Sequence, residues 1–226
     1  MSTARVRGSP PAAARRAPRH NPAVPESPTF LSEPPASDAT DAVFAADRES
    51  DGYVWNVTRL WGWRPDLYES FAALRTGLME ASALTARDFA VLVSATAAQR
   101  DDSYCAYAWG QKLAKLTDDE TAAQVLAGEQ APGLTEREAA LADWARRVVD
   151  DPNGTSEREI ARLRDVGLTD REIFEATAFV GFRLAFSTVN DALGAAPDRQ
   201  LADSAPELVR SAVTYGRPAS PEPSSP

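Results

Sequence analysis

Five short signatures punctuate the chain, each a hydroxyl residue followed three positions later by a carboxylate. They are Thr85 with Asp88, Thr117 with Glu120, Thr135 with Glu138, Ser156 with Glu159 and Thr169 with Glu172. Each is a capping box or, for Asp88, a close variant. The hydroxyl accepts from an orphan backbone N–H of the first turn, and the carboxylate reaches back to the cap. Leu84, Leu116, Leu134 and Leu168 precede four of these caps, and Phe89 and Ile173 complete hydrophobic staples at two of them. A chain that starts so many helices in this way has little room for a sheet.

The rest of the central sequence agrees. β-Branched runs of period two are absent, and alanine, leucine, glutamate and arginine dominate. Gly128, Gly167 and Gly194 follow apolar periodic runs and read as helix stops. The pattern predicts helices near 66–82, 86–100, 103–116, 118–127, 136–150, 156–166 and 170–193, with a short one over 40–50. The expected fold is all-α, a bundle of about seven helices with its core in 86–100, 103–116 and 170–193. The phrases LTARDF, LTEREA and LTDREI recur at unequal spacing, so they reuse one helix-start device and are not a solenoid repeat.

Proline sets the boundaries. Of 17 prolines, eight fall in residues 1–37 and four in 217–226. This predicts disordered tails over 1–37 and 217–226 and a single helical domain over 38–216. Residues 1–25 carry Arg5, Arg7, Arg15, Arg16 and Arg19 and no acid; against a total of −9, the remainder is −9 − 5 = −14. A domain that acidic does not attract nucleic acid by neutralising phosphate. No apolar run is long enough to span a bilayer, and no secretory core is visible. The expected setting is the cytoplasm, with neither nucleic acid nor membrane as partner.

Composition also limits the chemistry. The one histidine, His20, lies in the N-terminal tail, so the domain lacks an imidazole for a Ser-His-Asp triad, a Cys-His dyad or a His-ligated metal. The one cysteine, Cys105, excludes an internal disulfide, a CxxC pair and a cysteine metal cage. No metal or other cofactor is implied.

Three stretches remain that can carry chemistry. In DDSYCAYAWG, residues 101–110, Ser103 is a candidate N-cap that puts Cys105 in the first turn, where the helix dipole favours a thiolate. Asp101 and Asp102 oppose ionisation there. Trp109 lies one turn on, on the same face. Cys105 is then either a reactive thiol or a structural cysteine among alanines and aromatics. In GYVWNVTRLWGWRPDLY, residues 52–68, the aromatics pack on the core, meet another subunit or wall a pocket. In the last long helix, Arg183, Ser187 and Asn190 share one face, either as a polar tie between helices or as part of a site near Cys105.

The order of these elements is a capped helix with an acid near its start, a helix start bearing cysteine, a short helix ending in glycine, LTERE, and a long helix ending FSTVNDALG. It resembles the carboxymuconolactone decarboxylase and alkylhydroperoxidase D superfamily over about residues 50–200. The stretch 101–110 resembles that family's redox motif, Cys-x-x-Cys with a histidine four residues after the second cysteine. By position Cys105 matches the second cysteine, Asp102 the first, and Trp109 the histidine. Counting back to the family's proton-relay glutamate reaches Ala90 without a gap; a two-residue insertion in the QRDD connection reaches Asp88.

The resemblance implies homo-oligomers, trimers or hexamers, and a thiol peroxidase. Without a resolving cysteine, only a one-cysteine cycle survives, in which an external thiol reduces the sulfenic acid. Its expected catalytic residues are Cys105, Asp88 and Asp102, with Ser103, Tyr104, Trp109, Arg183 and Asn190 around the substrate. The rival expectation is a non-catalytic binding or scaffold member that has lost the site.

Overall fold

The computed structural model describes residues 28–221. The described residues form eleven α-helices and one 3-10 turn, and no strand. In chain order the helices are α1 (Asp38–Asp51), α2 (Asn56–Trp61), α3 (Pro65–Glu80), α4 (Ala86–Arg100), α5 (Ser103–Leu116), α6 (Asp119–Ala127), α7 (Glu136–Asp150), α8 (Glu157–Asp165), α9 (Asp170–Ala192), α10 (Arg199–Ser204) and α11 (Glu207–Ala212). The seven long helices expected from the pattern are all present, and α1 takes the place of the short helix over 40–50. The structure adds α2, α10 and α11, each six residues long and too short for its periodicity to be read.

α4 is the axis of the bundle. Every residue from Asp88 to Ala97 is buried, so this helix has no solvent face over that length. α5, α7 and α9 surround it, and Phe89 of α4 meets Phe179 of α9 with ring centroids 4.6 Å apart. α6 and α11 close over α5. A second cluster holds Val57, Leu60, Trp61, Tyr104, Ala195 and Leu201, and seats α2 and α10 on the bundle.

The capping boxes at Thr85, Thr135, Ser156 and Thr169 all form, with hydroxyl and carboxylate both engaged. Arginines from the same phrases then cross-link them. Arg87 pairs with Glu138, and Arg137 reaches Asp88 at 3.5 Å and Glu172 at 2.9 Å. The N-terminal ends of α4, α7 and α9 are thereby tied together.

Two expected caps move. Thr117 does not start α6; its hydroxyl donates to the Leu113 carbonyl at the end of α5, and Asp118 caps α6 by accepting from the Thr121 N–H. Ser103 does not cap α5; Asp102 does, accepting from the Cys105 N–H at 2.9 Å. In both cases an adjacent aspartate takes the cap: Asp118 outranks Thr117 as an N-cap, while Ser103, of equal rank to Asp102, spends its hydroxyl on the Arg217 carbonyl.

The stretches 28–37 and 217–221 have tail-like composition but make specific contacts. The Ala196 N–H donates to the Pro28 carbonyl, the Ser220 N–H to the Pro197 carbonyl, and Asn56 Nδ2 to Ser220 Oγ. Arg217 lies over the Phe30 ring, 4.5 Å from its centroid. The expectations for residues 1–27 and 222–226, including the basic arm and His20, lie outside the described residues. Among the described residues no helix is long and apolar enough to cross a membrane, and no group of three or more His, Cys, Asp or Glu side chains suits a metal ion.

Candidate active site

α4 ends at Asp101, a non-glycine residue with φ of 59°, and α5 begins two residues later. This abrupt reversal puts the N-terminus of α5 against α9 and sets Cys105 opposite Arg183 and Ser187. Cys105 is 3% exposed. Arg183 Nη2 donates to its Sγ across 2.8 Å. Ser187 Oγ lies 3.7 Å from the sulfur and donates to Asp102 Oδ2 at 2.5 Å. Since that hydroxyl proton is committed to Asp102, the thiol is the donor toward Ser187. A continuous route therefore runs from the Cys105 S–H through the Ser187 hydroxyl to the Asp102 carboxylate.

Opposing influences set the thiol's state. Burial raises the Cys105 thiol, the nearby Arg183 charge pulls it back, and Asp102 raises it again, leaving it pushed up to about 12. At neutral pH the resting sulfur is protonated, a thiol held beside a cation and a relay.

Arg183 is itself unusual. It is 6% exposed, and its guanidinium lies 5.0 Å from the Phe186 ring centroid and 6.0 Å from that of Trp109. Its Nε is buried without a hydrogen-bond partner. One face of the group borders a cavity of about 50 Å³ between α3 and α9.

The expected site residues thus divide. Cys105, Asp102 and Arg183 are brought together, with Trp109 beside the guanidinium. Asn190 lies on the same face of α9, where its Oδ1 accepts from Trp61 Nε1 at 2.8 Å and its Nδ2 is buried and unpartnered. Ser103 and Tyr104 face elsewhere. Ser103 Oγ donates to the Arg217 carbonyl, and the Tyr104 hydroxyl donates to Asp198. Asp88 is in the capping box at the far end of α4, paired with Arg137, and does not reach the thiol.

Sequence reasoning missed the Phe71, Phe182 and Phe186 wall and Arg75, all of which border the cavity. It also missed the buried cluster around Asp198, which accepts from the Asn56 N–H at 2.9 Å as well as from Tyr104. Ser187 was visible only as the residue between Arg183 and Asn190 on one helical face.

No protein-family profile matches the chain, and no curated protein is similar to it by sequence. Solved structures are similar in fold. An uncharacterized peroxidase-related protein of Ralstonia eutropha JMP134, described as an alkylhydroperoxidase AhpD core, superposes with a TM-score of 0.69 at 23% identity, covering 78% of this chain and 96% of that one. A peroxidase-related protein of Silicibacter sp. TM1040 gives 0.69 at 24% identity, over 78% and 95%. The debrominase Bmp8, as a cysteine-to-alanine variant in complex with 2,3,4-tribromopyrrole, gives 0.60 at 13% identity, over 81% and 95%. The helical order, the reversal that delivers Cys105 and these superpositions together give this chain the all-helical fold of the alkylhydroperoxidase D-like superfamily.

Proposed function

We propose that the protein is a one-cysteine, thiol-dependent peroxidase with Cys105 as the nucleophile. The observation that carries this reading is the hydrogen bond from Arg183 Nη2 to Cys105 Sγ. A fixed guanidinium favours the thiolate once formed and can hold an oxygen of a peroxide against it. The thiol proton leaves through Ser187 to Asp102. The sulfur then attacks one peroxide oxygen, the O–O bond breaks, and the second oxygen departs as an alcohol after taking a proton. Cys105 becomes a sulfenic acid. An external thiol condenses with it, releasing water and leaving a mixed disulfide. A second thiol frees Cys105 and carries away the disulfide. The fold neighbours described as peroxidase-related support the same class of reaction. Asp102 is the proton handler in this scheme; Asp88 serves the helix cap and the Arg137 cross-link.

Association into trimers or hexamers in the cytoplasm is part of the proposal. Leu67, Leu74 and Phe174 are the large apolar side chains that α3 and α9 leave exposed for it.

A second reading, that the domain binds without turning over, draws on the sealed sulfur and the upward push on its thiol. Intact mass after peroxide treatment separates the two. The peroxidase reading expects a single added oxygen, trapped by a sulfenic-acid reagent and absent in Cys105→Ser. A wild-type mass unchanged at millimolar peroxide sinks it.

A further inference from the structure

Arg183 brings a positive charge into the protein, and the buried carboxylate of the site, Asp102, stands beyond Cys105 and Ser187 rather than against the guanidinium. Arg183 makes no ion pair among the described residues, its guanidinium hydrogen-bonds only to a sulfur, and its Nε has no partner. Protein interiors rarely hold a guanidinium with no carboxylate bonded directly to it, because a buried ion is costly unless it is paired and hydrogen-bonded. The sulfur in direct contact is not a counterion either, since burial favours its protonated form.

The cavity beside Arg183 has a second cation and no acid in its lining. Arg75 stands at its mouth on the exposed side of α3, again without an ion pair among the described residues. Partial burial first, and then the charge of Arg183, lower the Arg75 pKa. The remaining wall is largely aromatic, with Phe71, Phe179, Phe182 and Phe186 around the two guanidiniums. Phe186 is held in place by stacking on Trp61, with centroids 5.2 Å apart and planes within 8°.

We propose that this cavity binds a small organic carboxylate, its anionic head between Arg183 and Arg75 and its short apolar part against Phe71, Phe182 and Phe186. A neutral ligand would bring no countercharge to a cavity lined by two guanidiniums and no acid. An inorganic anion would meet mostly aromatic wall. The size sets the class: one water needs about 10–15 Å³ of such space, so a cavity of about 50 Å³ takes a carboxylate head and a few carbons, with any longer tail leaving by the mouth. The inference stands apart from the peroxidase reading, because it needs no reaction at Cys105.

The test titrates the full chain with sodium butyrate, with butyramide and sodium chloride at matched ionic strength as controls, following heat of binding and thermal midpoint. Butyrate should bind saturably and raise the midpoint as its concentration passes the dissociation constant. Neither control should do so. Arg75→Gln, at an exposed position that should not disturb folding, should weaken butyrate about tenfold or more, the equivalent of one charge-assisted hydrogen bond. Arg183→Met should abolish binding, with a cooperative thermal transition to show that the variant is folded. The proposal is overturned by no saturable response at tens of millimolar butyrate, by an equal response to butyramide or chloride, or by unchanged affinity in Arg75→Gln.

Discussion

Arg183 Nη2 and Cys105 Sγ meet across 2.8 Å, joining α9 to the start of α5 through a cation and a protonated thiol. The contact tunes the sulfur without ionising it, because burial outweighs the nearby positive charge. Reactivity should therefore follow pH steeply. Below a pKa of about 12, the thiolate fraction grows about tenfold per pH unit. Alkylation of native Cys105 by iodoacetamide should rise in that proportion from pH 7 to 10 with no plateau. In urea, where the thiol returns to an ordinary value near 8.5, the rate should level off by about pH 9–10. A plateau in the native profile near neutrality would show an activated thiolate instead.

Asp102 has two tasks that different substitutions separate. It caps α5 and it receives the Ser187 proton beside the sulfur. Asparagine keeps a capping acceptor and removes the charge that raises Cys105. Asp102→Asn should speed alkylation at pH 8 several-fold while changing stability by less than about 1 kcal/mol. Asp102→Ala also loses the cap and strands the buried Ser187 hydroxyl, and should cost about 1–3 kcal/mol in urea denaturation.

The Asp198 carboxyl is pushed up to about 6, chiefly by burial and against the hydrogen bonds from Tyr104 and Asn56. Its folded pKa is above the unfolded value, so the folded state holds the extra proton between roughly pH 4 and 6. Unfolding free energy should fall as pH rises through that window and flatten above it. The size should be about 1–3 kcal/mol. Asp191, raised to about 7 by burial and by Asp102, adds a slope of the same sign. Chemical denaturation at intervals from pH 4 to 8 should show a reduced but nonzero slope in Asp198→Asn. An unchanged slope would remove Asp198 from this role.

Gly110 packs tightly beneath the cover of α5 formed by α6 and α11. A Cβ there would lie 2.6 Å from Leu126 Cδ1 and 3.1 Å from Val209 Cγ1, and both side chains are fully buried. Helix propensity alone would favour alanine, by about 1 kcal/mol. Overpacking costs about 1–3 kcal/mol and should prevail, so Gly110→Ala is expected to lower the thermal midpoint. A raised midpoint would mean that α6 and α11 shift freely.

Local signals explain what was legible beforehand. Leu84 with Phe89, and Leu168 with Ile173, sit at fixed offsets from their caps, and all four are buried as staples require. The glycine stops at Gly128, Gly167 and Gly194 take φ values of 71°, 89° and 80°, the left-handed region their positions imply. The start of α5 at 103 was legible, but the turn at Asp101 carries no glycine or proline, and nothing in QRDDS announced that Asp102 rather than Ser103 would cap the helix. The cavity was harder still. Arg75 and Phe71 come from α3, and Arg183 and Phe186 from α9, over a hundred positions away in the sequence. No periodicity records such a meeting. Tyr104 failed as a pocket residue for the same reason: its partner Asp198 lies 94 positions on and turns the ring away from the sulfur.

Pro28 and Ser220 bind to neighbouring residues, Ala196 and Pro197. The two outermost parts of the described chain are therefore clasped at a single point, and the path between them is topologically a ring with one small gap. Bridging that gap with a short polar segment would need little loop closure, since the fold already holds both sides of it. New termini could then be cut at the exposed connection between α6 and α7 without disturbing the clasp or the thiol. Cargo joined directly at residue 28 or residue 221 would leave from the same patch of surface, beside the residues that follow α9.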